Sequence, residues 1–389
     1  MLAEIGSALG VAAMAAALPG SAYLAALTLA APFGGRRAAA PAGDGAALRV
    51  ALVVPAHNES LGVVRTLRSL RREADADPNA RIHLVADNCS DDTAAVGRAE
   101  GVAVIERHDL ERRGKGWALE HAFARIPDAD WFIVIDADTD VAPGFLAAMR
   151  RAMAAGADAL QCRYLVRDAL ASRRGTLAEV AWAAWNVLRP RGRDALGVSA
   201  GILGNGFALS RRTLAQVPYT ARSIVEDVEY HVMLVRAGLK VGWVDDALVR
   251  GDMPQAAAAA GAQRARWEGG RLRLAADRVP GLAGEVLRGR LRLLDPLADL
   301  LLLPLAMHVA LLLAALALAP GGWRTLAAAS LAAVAVHVVT GLRLIGAEAA
   351  HWRALAGVPA YIVWKLLLTA RIVRSAGRQA AWVRSERDS

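Results

Sequence analysis

Along residues 48–140 one pattern repeats: a short unbroken apolar run, then a stretch in which apolar positions recur every three or four residues. RVALVVPAHN is such a run, and residues 61–72 behind it carry helical spacing. RIHLVADNCSDDT supplies a second run with a turn, GVAVIERHD a third, and WFIVIDADTDV a fourth that ends in acidic residues. Short, uniformly apolar runs alternating with amphipathic stretches predict buried strands of an α/β sheet with much parallel pairing. Ligands of such sheets gather beyond the carboxyl ends of the strands. Asn58, Asp87, Asp136 and Asp138 all fall there.

The pattern changes at both ends. Residues 2–32 are almost uncharged after Glu4, too long an apolar stretch for a signal peptide and without a basic leading region. Residues 1–35 therefore read as one membrane helix kinked at Pro19, with Arg36 and Arg37 holding its end on the cytoplasmic side. A linker over 36–47 leads into a globular domain over 48–278, and 279–389 form a membrane region. Two apolar runs there, 297–319 and 325–347, are each long enough to cross a bilayer. The run 355–373 is shorter and holds Pro359, Lys365 and Arg371. As a span it would carry the basic tail outside, so it reads as an interfacial or re-entrant helix with snorkelling Lys and Arg, a third span being the alternative.

Composition narrows the class. The chain is 55% hydrophobic yet 21% charged, and the two are segregated, which disfavours a transporter with apolar spans throughout. Only His308 and His337 are ionisable residues deep in a span. The net charge of +9 sits largely beside the apolar segments, at Arg288, Arg290, Arg292, Arg371, Arg374 and Arg378. That placement suits an anionic membrane surface; nucleic acid is disfavoured, because the basic patches lack interleaved aromatics. Cys89 and Cys162 form no paired pattern and read as reduced thiols. The expectation is a multi-pass inner-membrane protein whose globular domain faces the cytoplasm.

Four stretches carry chemistry. Asp136 and Asp138 follow a buried strand, and two carboxylates there could hold a hard divalent ion on a diphosphate, or simply form a solvated turn. Asp87 could accept hydrogen bonds from a base or ribose, whereas Asp91 or Asp92 in the same turn suits an Asx cap. In RRGKG two glycines flank Lys115, whose ammonium could reach a phosphate, without the spacing of a Walker loop. Glu226 and Asp227 open a helix, as dipole compensation or, for Asp227, as a general base. His57, His121 and His231 show no metal-ligand spacing and read as structural.

In order, VPAHNE, VADNCSDDT, RGKGWAL, VIDADT, VEDVEY and QRARW make the chain resemble family 2 glycosyltransferases over residues 48–275. More narrowly it resembles the membrane-bound synthase branch of cellulose, hyaluronan and chitooligosaccharide synthases. The resemblance implies a Rossmann-like GT-A domain that binds a nucleotide sugar, usually UDP-linked, with Mg²⁺ or Mn²⁺, flanked here by membrane helices and an interfacial helix. It places Pro55, Glu59 and Asp87 around base and ribose, Lys115 and Asp136 near the donor, and Asp138 on the metal. It makes Asp227 the base, and puts Gln263, Arg264, Arg266 and Trp267 over the diphosphate and acceptor. Gly204, Asn205 and Gly206, with Glu226, match the acceptor region, the glycines admitting a sugar closely. One N-terminal and two clear C-terminal spans are fewer than in cellulose or hyaluronan synthases and nearer the chitooligosaccharide branch. Such a set needs dimerisation or a secretion partner to enclose a polymer. The expected function is β-linkage-forming, inverting transfer from a nucleotide sugar to an oligo- or polysaccharide or to a lipid-linked acceptor. The competing reading is a non-catalytic nucleotide-sugar-binding subunit of a polysaccharide assembly or secretion complex.

Overall fold

The computed structural model describes residues 1–35, 47–254 and 256–377. Arg36, Arg37, most of the linker, and the tail from Arg378 lie outside them. The chain divides into a sheet unit, Gly35–Asp168 with Val198–Ala260, and a helical unit, Met1–Gly34 with Ala169–Gly197 and residues from Gly261.

The sheet unit carries β1 (Val50–Ala56), β2 (Ala80–Asp87), β3 (Ala103–Arg107), β4 (Trp131–Val134), β5 (Thr139–Val141), β6 (Ala159–Val166), β7 (Phe207–Ser210) and β8 (Val241–Gly251). They form one sheet in the order β3-β2-β1-β4-β7-β6-β8-β5. The first half is parallel, as the alternating pattern predicts: β1 pairs with β2 and β4, and β2 with β3. β7 then enters antiparallel between β4 and β6, and β5 runs antiparallel along β8, so the sheet is mixed. β1 is apolar on both faces because it is covered on both. Val50, Leu52 and Val54 enter one core, and Ala51 and Val53 the other, as the two-residue period of a strand requires. The helix predicted over 61–72 runs Val63–Ala74.

In the helical unit Leu2–Ala30 is a single helix with Pro19 inside it. The long helix Ala257–Leu287 passes through the boundary expected at 278. The span expected over 297–319 is broken: Leu291–Leu301 and Leu305–Leu318 meet at 79°. Pro304 explains the break, since proline offers no N–H to the ladder and disfavours helical backbone at the residue before it. The 14 residues of the second piece reach only about 21 Å, short of a hydrocarbon core about 30 Å thick. Leu2–Phe33 and Gly321–Leu344 are long and apolar enough to cross a membrane, and up to four crossings result if each bent pair is one span. Ala349–Leu367 and Thr369–Ser375 form the second bent pair, at 45°. Lys365, expected to snorkel, is instead buried and paired with Glu268.

A buried ionic network ties this unit together. Asp299 takes Arg189, Arg193 and Arg271, and Asp295 takes Arg193 at 3.3 Å and the Tyr23 hydroxyl at 2.8 Å. Between Arg173–Trp182 and Arg189–Ala195 the helix widens to a π turn over Ala183–Leu188. Trp185 of that turn lies 3.7 Å under the Arg189 guanidinium, so this tryptophan belongs to the network.

Candidate active site

The carboxyl ends of β1, β2 and β4 deliver the expected residues to one rim of the sheet unit. The turns leaving β1 and β2 use Asn58 at φ 55° and Asn88 at φ 53°, left-handed positions that asparagine tolerates better than most side chains. Asn58 Oδ1 accepts from the Ser90 amide at 2.7 Å, lacing the two turns together. Asp91 is the Asx cap: hydrogen bonds from Thr93 and Ser60 outweigh the upward push of burial and bring its carboxyl down to about 2.

Asp87 closes β2 and is buried, with Arg107 donating to its Oδ1 at 2.6 Å. The register pairs these two residues directly across β2 and β3. Arg107 also reaches Asp109 and the Arg112 carbonyl, so one buried guanidinium joins the end of β2 to the loop before Lys115. His57 lies against the Asp87 carbonyl at 2.7 Å, which requires the proton on Nδ1. Pro55 is in β1, and the Glu59 amide donates to Thr93 at 2.8 Å.

Lys115 begins the helix Lys115–Arg125 behind Gly114, at φ 114°. Its ammonium bonds Asp136 and the Gly204 carbonyl. Burial works against that charge, but Asp136, Glu226 and Asp227 outweigh it and raise the lysine's pKa. Glu226 and Asp227 open the helix Glu226–Arg236. Burial, and then the Asp227 charge, push Glu226 up to about 8 against the pull of Lys115. Burial and the neighbouring Asp227 charge thus favour the protonated form of Glu226, and Lys115 is held in its charged form.

The glycines expected to admit a sugar are used by the protein itself. Gly204 sits at φ 78°, and a Cβ there would lie 3.0 Å from the Asp227 carboxylate. At Gly206, φ 68°, a Cβ would come within 2.3 Å of the Cys162 sulfur. Asn205 between them is wholly buried and accepts from the Asp136 amide at 3.1 Å, so its side chain faces the Asp136–Asp138 turn. His231 pairs with Ser199 at 2.9 Å, a structural role. Gln263, Arg264, Arg266 and Trp267 belong to the helical unit, on Ala257–Leu287. There Arg264 lies 5.7 Å over the Tyr361 ring.

One residue escaped sequence reasoning. Asp252 follows β8, and its amide donates to the Asp138 carbonyl at 3.3 Å. Burial raises its carboxyl, Arg167 opposes that, and the Asp138 charge adds to it. The signal was present, an acidic residue just past an apolar strand, as at Asp136.

A family model described as glycosyltransferase-like family 2 matches residues 47–270, more than half of the chain. The chain belongs to this family. Its solved likenesses are distant. Mannosyltransferase PcManGT from Pyrobaculum calidifontis, in complex with GDP-Man and Mn²⁺, has a TM-score of 0.55 at 19% identity, over 98% of this chain and 99% of its own. Mannosyl-3-phosphoglycerate synthase from Rubrobacter xylanophilus gives 0.46 at 20%, over 62% and 79%. Glucosyl-3-phosphoglycerate synthase from Mycobacterium tuberculosis, with Mn²⁺, UDP and phosphoglyceric acid, gives 0.38 at 22%, over 54% and 74%. No curated protein sequence matches. The family 2 domain thus has the α/β GT-A-like fold with a mixed sheet.

Among the described residues no group of three or more His, Cys, Asp or Glu could hold a metal by itself. The donor chemistry still fits a hard cation. Asp138, with Asp252 beside it, offers carboxylate oxygen, and Mg²⁺-type ions take one or two carboxylates plus substrate phosphates, not an all-protein cage.

Proposed function

We propose that this family 2 glycosyltransferase moves a sugar from a nucleotide sugar, UDP-linked in the first instance, to an acceptor hydroxyl by single displacement with inversion. The acceptor hydroxyl belongs to an oligo- or polysaccharide or to a lipid-linked saccharide at a membrane. The observation that carries the reading is the cluster of Lys115 with Asp136, Glu226 and Asp227. Asp227 takes the proton of the hydroxyl as its oxygen bonds to the anomeric carbon; the bond to the diphosphate breaks, and the nucleoside diphosphate leaves with the electron pair. Asp227 suits this as the neighbour of Glu226, whose carboxyl is pushed up by burial and the Asp227 charge, so that the pair favours keeping a proton on Glu226. Lys115 stands ready to exchange Asp136 for a diphosphate oxygen, a charge-assisted contact that grows as the leaving group gains charge. Asp138, with Asp252 near it, would hold Mg²⁺ or Mn²⁺, which when bound neutralises the diphosphate. Asp87, oriented by Arg107, would accept from the base or ribose, with Pro55 and Glu59 beside it. Gln263, Arg264, Arg266 and Trp267 enter the proposal through the sequence resemblance, as diphosphate and acceptor contacts.

The two apolar helices support a membrane-bound enzyme, and we place its catalytic domain in the cytoplasm on the sequence resemblance. The mannosyltransferase of like fold was solved with GDP-Man and Mn²⁺, so GDP-linked donors belong in the test panel beside UDP-linked ones. Purified protein with Mn²⁺ or Mg²⁺ is incubated with that panel and a membrane lipid extract, and products are weighed by mass spectrometry. One added sugar on lipid indicates a single transfer, and a mass ladder indicates polymerisation. Asp227→Asn should lower turnover at least 100-fold while leaving donor binding intact. Unchanged turnover in that variant would remove Asp227 from the mechanism.

A further inference from the structure

Between β4 and β5 the Asp136–Asp138 turn is held by a hydrogen-bond chain that begins on a different loop. Asn205 and Thr139 are both wholly buried. Asn205 Oδ1 accepts from the Asp136 amide at 3.1 Å, which fixes the orientation of its side-chain amide, because only an oxygen can face that N–H. Its Nδ2 then donates to Thr139 Oγ1 at 2.8 Å. An amide N–H cannot accept, so the threonine hydroxyl keeps its own proton for another partner. That partner is Asp138 Oδ1, at 3.2 Å. The far end is anchored as well. Gln161, also wholly buried, donates to the Asn205 carbonyl at 2.8 Å and accepts from the Leu203 amide at 2.9 Å. On the other side Thr66 donates to the Ala137 carbonyl at 2.8 Å and accepts from the Thr139 amide at 3.0 Å.

We propose that Asn205 and Thr139 are positioning residues for the divalent cation: the relay Asn205 to Thr139 to Asp138 sets the rotation of the Asp138 carboxylate before the cation arrives. This rests on the reading above that Asp138 holds the cation. The threonine hydroxyl on Oδ1 restricts how the carboxylate can turn toward a cation. The side chain gives up its rotational freedom during folding and not during binding, and the hydroxyl's direction is dictated by the amide behind it. Partners of this kind around a metal ligand typically carry roughly 10- to 100-fold in metal affinity. The same Asn205 side chain also accepts from the Asp136 amide, so one buried side chain holds the turn at its backbone and, through Thr139, at the Asp138 carboxylate.

The test is Mn²⁺ binding to the full chain in detergent, with UDP or GDP present, read as free Mn²⁺ by electron paramagnetic resonance. Three variants are compared with the wild type. Thr139→Val removes the hydroxyl at equal volume, Thr139→Ser keeps it, and Thr139→Cys leaves a weaker donor should the valine variant not fold. The relay predicts Mn²⁺ binding weakened about 10-fold in T139V, intermediate in T139C and restored in T139S. It also predicts that the Mn²⁺ concentration for half-maximal transfer rises by the same factor while kcat at saturating Mn²⁺ changes less. T139V or T139C binding Mn²⁺ as the wild type does would overturn the relay and leave the metal reading intact. A wild type that binds no Mn²⁺ with either nucleotide would overturn both.

Discussion

Replacing Glu226 by Gln probes the proton that the carboxyl pair holds. The side chain's ordinary value is 4.5, and burial with the Asp227 charge moves it to about 8. Between those values the folded chain keeps a proton that the unfolded chain has released. The raised pKa therefore contributes stability that is complete below about 4.5 and is lost as pH rises through about 8. Glutamine does not titrate, so Glu226→Gln should gain on the wild type as the solution becomes more alkaline. The difference of 8 and 4.5, at about 1.4 kcal/mol per unit, sets a ceiling of about 5 kcal/mol. Water reaches part of the half-buried pair and screens it, leaving an expected change of about 2 kcal/mol. In Tm this is roughly 4–8 °C for a unit of this size. Thermal unfolding of both proteins at pH 5, 7 and 9, in chelator and without nucleotide, measures it. A Tm difference between E226Q and wild type that stays constant across this range would refute the argument.

Two further substitutions test the scaffold around the site and in the helical unit. Arg107→Ala removes the buried partner of Asp87 and the tie to the loop before Lys115. It should cost about 3–5 kcal/mol in unfolding experiments. In steady-state assays it should raise the donor KM more than it lowers kcat. Asp299→Asn leaves Arg189, Arg193 and Arg271 without their shared carboxylate and should destabilise the helical unit by a similar amount of about 3–5 kcal/mol, read as a lower Tm in detergent.

Much of the active-site inventory was legible because it follows from strand ends. An apolar run that stops at an Asp or Asn announces both a buried strand and a polar rim, and Asp87, Asp136 and Asp138 were found this way. Asp252 gives the same signal after β8 but lies in a stretch with no second cue, so it was passed over. At Gly204 and Gly206 the structure shows what a sequence cannot: a Cβ would meet the Asp227 carboxylate and the Cys162 sulfur. Asn205 between them, a polar residue that a sequence places on a loop, is a wholly buried hydrogen-bonding centre.

The chain's own pattern determined the parallel half of the sheet and the residues at its rim, because hydrophobic period is a local property. It also determined the family, through the order of motifs that are individually weak. Tertiary structure decided what depends on distant partners. β7 enters antiparallel because its place between β4 and β6 is set by pairing, which a four-residue apolar strand does not encode. Lys365 is buried because Glu268, 97 residues away in sequence, meets it. The Glu226 carboxyl is pushed up because burial and Asp227 act together, against the pull of Lys115 from another helix. Each is a coupling between groups far apart along the chain, and only folding puts them within reach of one another.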